Sequence, residues 1–154
     1  MVINGKEIAN DFCKIISNRV ESLKSSGIFP HIALVNASND PASEIYISRK
    51  QKLAESLGIK STVHKLRGNS IQENDVEELL KSLNLDSDVT AILLQSPLAR
   101  RLNFRKLVDI INPCKDADGL TSTNQGKLFI GEPCIAPCTP LGILHLIHSV
   151  RKNI

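Results

Sequence analysis

Apolar positions along the chain follow two spacings in turn, one helical and one strand-like. Ile8, Phe12, Ile15, Ile16, Val20 and Leu23 recur every three to four residues, with Lys, Glu, Asn and Arg between them, and predict an amphipathic helix over 6–25. Ser25, Ser26 and Gly27 close it. After Pro30, the run Ile32 to Val35 is short and unbroken, as expected of a strand buried on both faces. Residues 39–58 then read as a second helix. Asp40 can cap its first turn, and Pro41 at the first helical position lacks an N–H that would have no partner there anyway. Gly58 suits a left-handed C-terminal turn. Ile45, Leu53, Ala54 and Leu57 are assigned to its buried side.

The alternation continues. Residues 59–66 are β-branched and partly alternating, the pattern of a second strand, with His64 read as an edge or exposed side chain. Ser70 and Glu73 fit a capping box that opens a helix with Val76, Leu79, Leu80 and Leu83 inward. Residues 89–94, the most apolar strand, end at Gln95-Ser96-Pro97-Leu98. Asn103 is placed to cap a helix carrying Leu107, Val108, Ile110 and Ile111, which Pro113 stops. Residues 113–138 show little periodicity and are read as a long irregular stretch, a type of loop that often carries function. Thr139 and Pro140 open a last helix with Leu141, Leu144, Ile147 and Val150 inward. Strands alternating with helices predict an α/β fold with a short parallel sheet.

Composition narrows the field. A chain of 154 residues with 42% hydrophobic and 23% charged residues is long enough for one globular domain with a core. The net charge of +3 comes without any basic stripe, and there is no Trp and a single Tyr, which argues against a nucleic-acid platform. No apolar run has membrane-spanning length and the first residues carry no signal pattern, so the expectation is a cytoplasmic protein with no membrane partner. Cys13, Cys114, Cys134 and Cys138 form no C-x-x-C pair and read as reduced thiols. A zinc site from Cys134, Cys138, His145 and His148 is disfavoured by spacing and by the flanking Pro137 and Pro140.

Candidate chemistry gathers where α/β sheets bind ligands, outside the carboxyl ends of the strands. Tyr46 and Lys50 are four residues apart on the second helix, so they stand on one face about 6 Å apart along its axis. Gln95 ends the third strand, and Lys115, Asp116, Ala117, Asp118 and Gly119 follow the next helix. An amine in a partly apolar cleft has its ammonium form disfavoured, which suits proton transfer. A neutral Gln orients such an amine without fixing its charge, and a carboxylate can read N–H donors of a heterocycle. Each residue alone has a plainer reading: a half-buried Tyr, a solvated Lys, a strand-end Gln, turn-forming Asp116 and Asp118.

The motifs DPAS-x-x-Y-x-x-x-K, Q-x-PL, KDADGLTSTNQGKL and PCTPLG, in this order over nearly the whole chain, resemble the bifunctional methylenetetrahydrofolate dehydrogenase/methenyltetrahydrofolate cyclohydrolase family. The resemblance implies a three-layer α-β-α domain in residues 1–138, with 139–154 starting the helix that leads to a Rossmann-type NADP domain absent from this chain. It implies NADP-dependent oxidation of 5,10-methylenetetrahydrofolate and hydrolysis of the product to 10-formyltetrahydrofolate, in one-carbon metabolism and purine biosynthesis. A tetrahydrofolate derivative is the implied substrate, NADP the implied cofactor, and a homodimer the implied full-length form. Lys50 is then the principal catalytic residue, Tyr46 stacks on the folate, Gln95 tunes Lys50, and Asp118 binds the pterin. Substrate contacts are implied for Tyr46, Ile47, Ser48, Arg49, Lys50, Leu94, Gln95, Ser96 and Asp118, although many relatives carry an apolar residue where Ser96 stands. Pro137, Thr139 and Pro140 match the hinge between domains.

Two rivals remain at this level. Y-x-x-x-K is also the pair of short-chain dehydrogenases, but those need a glycine-rich loop after the first strand, and here that loop reads NASNDPAS. The other rival is a non-catalytic folate-binding or dimerisation module. Cofactor-binding residues and metal ligands are expected to be absent from this chain.

Overall fold

A computed structural model describes residues 2–68 and 71–151. Three parallel strands, β1 (His31–Asn36), β2 (Lys60–Lys65) and β3 (Ala91–Leu94), form a sheet in the order β2-β1-β3. Helices α1 (Gly5–Ser25), α2 (Pro41–Ser56), α3 (Glu73–Leu85), α4 (Phe104–Val108), α5 (Ser122–Ile130) and α6 (Cys138–His148) complete the fold. The central strand β1 is buried along nearly its whole length, which explains its unbroken apolar run. His64 lies on β2, an edge strand, as the sequence indicates.

Side-chain alternation divides the core in two. On one face Ala33, Val35, Ile92 and Leu94 pack against Val76, Leu80 and Leu83 of α3 and Leu107 and Val108 of α4. On the other, Leu34 and Leu93 pack against Ile47 of α2. The result is the expected three-layer α-β-α arrangement. Full burial of a side chain such as Leu80 contributes about 1.5–3 kcal/mol, so the α3/α4 face supplies most of the packing energy.

Several expectations change. Ile45 and Leu53 of α2 are more than half exposed, and the buried stripe is instead Ser43 and Ile47, continued by the half-buried Lys50 and Ala54. Both stripes have helical spacing, and the one with more apolar residues faces solvent. Residues 113–138 are not irregular throughout, because α5 occupies their middle, with Thr121 accepting from the Asn124 N–H at its start and Gly131 left-handed at its end. The α6 residues Leu141 and Leu144 are exposed rather than inward. Ser70 lies outside the described residues. The start of α3 is held by Asp75, whose carboxylate accepts from the Gln72 N–H at 2.7 Å.

Candidate functional site

The loop after β1 and the start of α2 fix the direction of that helix. The Asp40 carboxylate accepts from the backbone N–H groups of Ala42 (3.2 Å) and Ser43 (3.1 Å) and from the Ser43 hydroxyl. The Ala42 N–H contributes most to holding the Asp40 carboxyl below its usual range. With α2 anchored there, a stripe at i, i+4 and i+7 carries Ser43, Ile47 and Lys50 against the sheet. Lys50 sits near the carboxyl ends of the strands.

There it meets Gln95. Lys50 Nζ donates to Gln95 Oε1 at 3.0 Å, while Gln95 Nε2 donates to the Ser96 carbonyl at 2.5 Å. With its amide NH2 engaged by Ser96, Gln95 must present its carbonyl to the amine. The backbone of Gln95 is itself held in register, its N–H donating to Val35 O at 2.9 Å. A neutral acceptor holds an ammonium without the strong charge pairing of a carboxylate.

Asp118 completes the constellation from the loop beyond α4. Lys50 and Asp118 line one cavity of about 180 Å³ together with Leu120, Pro137, Cys138, Thr139 and Pro140. Burial pushes the Asp118 carboxyl above its usual range, the Lys50 charge opposes that, and Asp116 adds to it. Asp116, two residues earlier, is pulled the other way. Burial would raise it, but donors led by the Thr121 N–H (2.8 Å) and the Asn124 side chain (3.0 Å) outweigh burial and hold it low. Asp116 thus staples α5 to the sheet edge, where its segment also bridges to Ile92. Gly119 lets this loop approach the chain leading to α6. A Cβ there would lie 2.6 Å from backbone atoms of Ile135 and Ala136, and its φ of +67° is left-handed.

The remaining sequence-derived residues separate into groups. Tyr46 is 56% exposed at the edge of the α2 stripe and makes no hydrogen bond to Lys50, Gln95 or Asp118. Ile47 is a core residue packed on Leu34 and Leu93, so a direct substrate contact is not available to it. Leu94 faces the α3/α4 core, because neighbours of Gln95 in a strand point to the opposite face. Ser48 and Arg49 line a separate, open groove along α2 with Pro41, Glu44, Ile45 and Lys52. Ser96 reaches the site through its carbonyl.

Cys138, which the sequence offers only as a disfavoured zinc ligand, also lines the cavity. Its thiol donates to Ala117 O at 3.2 Å on the wall of the Lys50 cavity. Desolvation by that wall, then Asp118, pushes the thiol up and keeps it protonated. The two prolines around it were the available signal, since they fix the turn by which α6 starts against the cavity. No glycine-rich phosphate loop follows β1, where Ala37 and Ser38 are buried and Asp40 caps α2.

Comparison with known proteins identifies the family. Residues 3–118 match the family described as tetrahydrofolate dehydrogenase/cyclohydrolase, catalytic domain. The bifunctional protein FolD of Wolbachia pipientis subsp. Culex pipiens is 40% identical over 156 residues, covering 100% of this chain and 52% of that protein. The one from Staphylococcus aureus strain MRSA252 is 39% identical over 146 residues, covering 95% and 51%. Among solved structures, the bifunctional FolD methylenetetrahydrofolate dehydrogenase/cyclohydrolase of Campylobacter jejuni superposes with a TM-score of 0.93 at 33% identity, over 97% of this chain and 53% of that one. A 5,10-methylenetetrahydrofolate dehydrogenase from the silkworm Bombyx mori gives 0.91 at 30%, over 96% and 51%. The chain thus spans about half the length of the relatives it matches, and it belongs to the tetrahydrofolate dehydrogenase/cyclohydrolase catalytic-domain family.

Proposed function

We propose that this chain forms the folate-binding, proton-handling half of a methylenetetrahydrofolate dehydrogenase/methenyltetrahydrofolate cyclohydrolase. The single observation that carries this is that Lys50, held by Gln95 at 3.0 Å, and the half-buried Asp118 carboxyl line one cavity at the carboxyl edge of the sheet. Residues 1–138 are the folate-binding part, and 139–154 begin the connection to a further domain. The relatives' other half would hold NADP, which accepts hydride in the oxidative step.

Lys50 handles the proton in hydrolysis of the methenyl bridge. Held by a neutral carbonyl, it can accept a proton from the attacking water and return it as the ring nitrogen leaves. Asp118, its carboxyl raised by burial, binds the N–H edge of the pterin. Tyr46, exposed one turn before Lys50, offers a face for the aminobenzoate ring to stack on. The homodimer, the cytoplasmic location and the place in purine biosynthesis belong to the same proposal. No helix among the described residues is long and apolar enough to cross a membrane.

The test is hydrolysis of 5,10-methenyltetrahydrofolate, followed by the loss of its ultraviolet absorbance. In the two-domain form, Lys50→Met is expected to lower turnover about a hundredfold or more with little change in thermal unfolding. Near-normal turnover in that variant would remove Lys50 from the reaction.

A further inference from the structure

Asn36, the last residue of β1, is 1% exposed, and its Oδ1 is shielded from solvent with no hydrogen-bond partner. Among the described residues only Ser61 Oγ shares that condition. A shielded amide carbonyl without a donor is less favourable than a hydrocarbon of the same shape. Asn36 therefore does not contribute to the fold in the way that Leu34 does two residues earlier.

Register places the side chain. Leu34 pairs with Leu93 and Val35 with Leu94, and the Gln95 N–H donates to Val35 O, so Asn36 lies beside Gln95 on the neighbouring strand. Leu34 and Leu93 share the core under Ile47, and alternation puts Asn36 and Gln95 on that same face. Neighbouring strands are about 4.8 Å apart. The amide with the unpaired carbonyl is thus the strand neighbour of the amide that holds the Lys50 ammonium at 3.0 Å.

We propose that Asn36 is a positioning residue for Lys50. Its lone carbonyl adds negative potential beside Gln95 and keeps the amine seated there. In a poorly solvated pocket such a dipole acts with little screening. Asp118 from the loop beyond α4 and Cys138 from α6 line the cavity with Lys50, with Asp116 behind them; Asn36 acts from the sheet side, where Lys65 of β2 is its register partner. The consequence for catalysis rests on the reading of Lys50 given above, but the effect on the amine does not.

The experiment measures the rate at which Lys50 reacts with trinitrobenzenesulfonate at fixed pH in the 154-residue chain, resolved by peptide mass mapping, with the exposed Lys52 as internal standard. Asn36→Leu preserves shape and removes the dipole. It is expected to fold at least as stably and to raise the Lys50 rate about threefold relative to Lys52. Asn36→Asp supplies a full negative charge and is expected to lower the rate. If both variants fold and the Lys50 rate matches wild type in each, Asn36 is only a buried polar residue and the proposal is overturned. If Asn36→Asp does not fold, Asn36→Leu alone decides by the same criterion. Methenyltetrahydrofolate hydrolysis is run in parallel on the two-domain form, with and without Lys50→Met. A Lys50 rate that responds while Lys50→Met leaves hydrolysis near normal refutes the catalytic reading and leaves the positioning role standing.

Discussion

The two sides of this molecule use similar residues differently. Around the sheet, Leu34, Ile47, Val76, Leu80, Ile92 and Leu107 are buried, and almost every shielded polar side chain has a partner. Across α1 and α6, the same residue types stand in the open. Val20 is the one buried residue of α1, α6 has none, and Phe12, Ile15, Ile16, Leu141, Ile143 and Leu144 are all exposed. Ile8, Phe12, Ile16, Leu141 and Leu146 line an apolar groove of about 730 Å³ between the two helices, and the Phe12 and His145 rings meet at 4.5 Å. An amphipathic pattern states that a face is apolar. It does not state that anything covers it.

Three measurements would break or sharpen this contrast. The largest effect is expected from the sheet. Ile92→Ala should cost about 2–5 kcal/mol in denaturant unfolding, because a fully buried side chain leaves a cavity on removal. Ile15→Ala on α1 should cost less than about 1 kcal/mol. Equal losses would show that the α1/α6 face is packed in solution. A smaller effect concerns the groove itself. The chain should enhance the fluorescence of an anilinonaphthalene sulfonate dye, and Phe12→Asp should remove more than half of that enhancement while Leu80→Ala does not remove it.

The smallest effect separates two carboxyls of the rim. Asp116 is held below its usual range, so its contribution to stability is present above that range and is lost as pH falls through the lowered value. Asp118 is raised, so the folded chain keeps its proton longer than the unfolded one. Stability then declines as pH rises from the usual carboxylate range through the raised value. Asp116→Asn should weaken acid sensitivity, and Asp118→Asn should flatten the decline at the higher pH, both followed by thermal unfolding across pH. Identical profiles for the two variants would contradict the opposite environments assigned to them.

Much of the fold is legible in the chain because its signals are local. Asp40-Pro41 fixes the start of α2 through groups within three residues, and β1 announces its burial by an unbroken apolar run. Gln95 is recognisable because it directly follows the third strand. What failed depended on contacts between elements. Ile45 and Leu53 matched helical spacing as well as Ser43 and Ile47 did, and only the sheet beneath α2 chose between them. Short α5 escaped notice because its nine residues carry few apolar positions. Leu94 and Ile47 lie next to site residues in sequence but point into core.

The sequence by itself determined the order of elements, the α/β class, the position of Lys50 on α2 and the motifs that mark the family. Those properties depend on backbone propensity and on spacing along one segment. Tertiary structure alone decided which side of α2 is buried, that the Gln95 carbonyl faces the Lys50 amine, that Asp116 and Asp118 are shifted in opposite directions, and that Asn36 Oδ1 is shielded without a partner. Each is set by donors, acceptors and solvent exclusion contributed by residues distant in the chain. A hydrogen bond between positions 45 residues apart has no signature in the local pattern of either one.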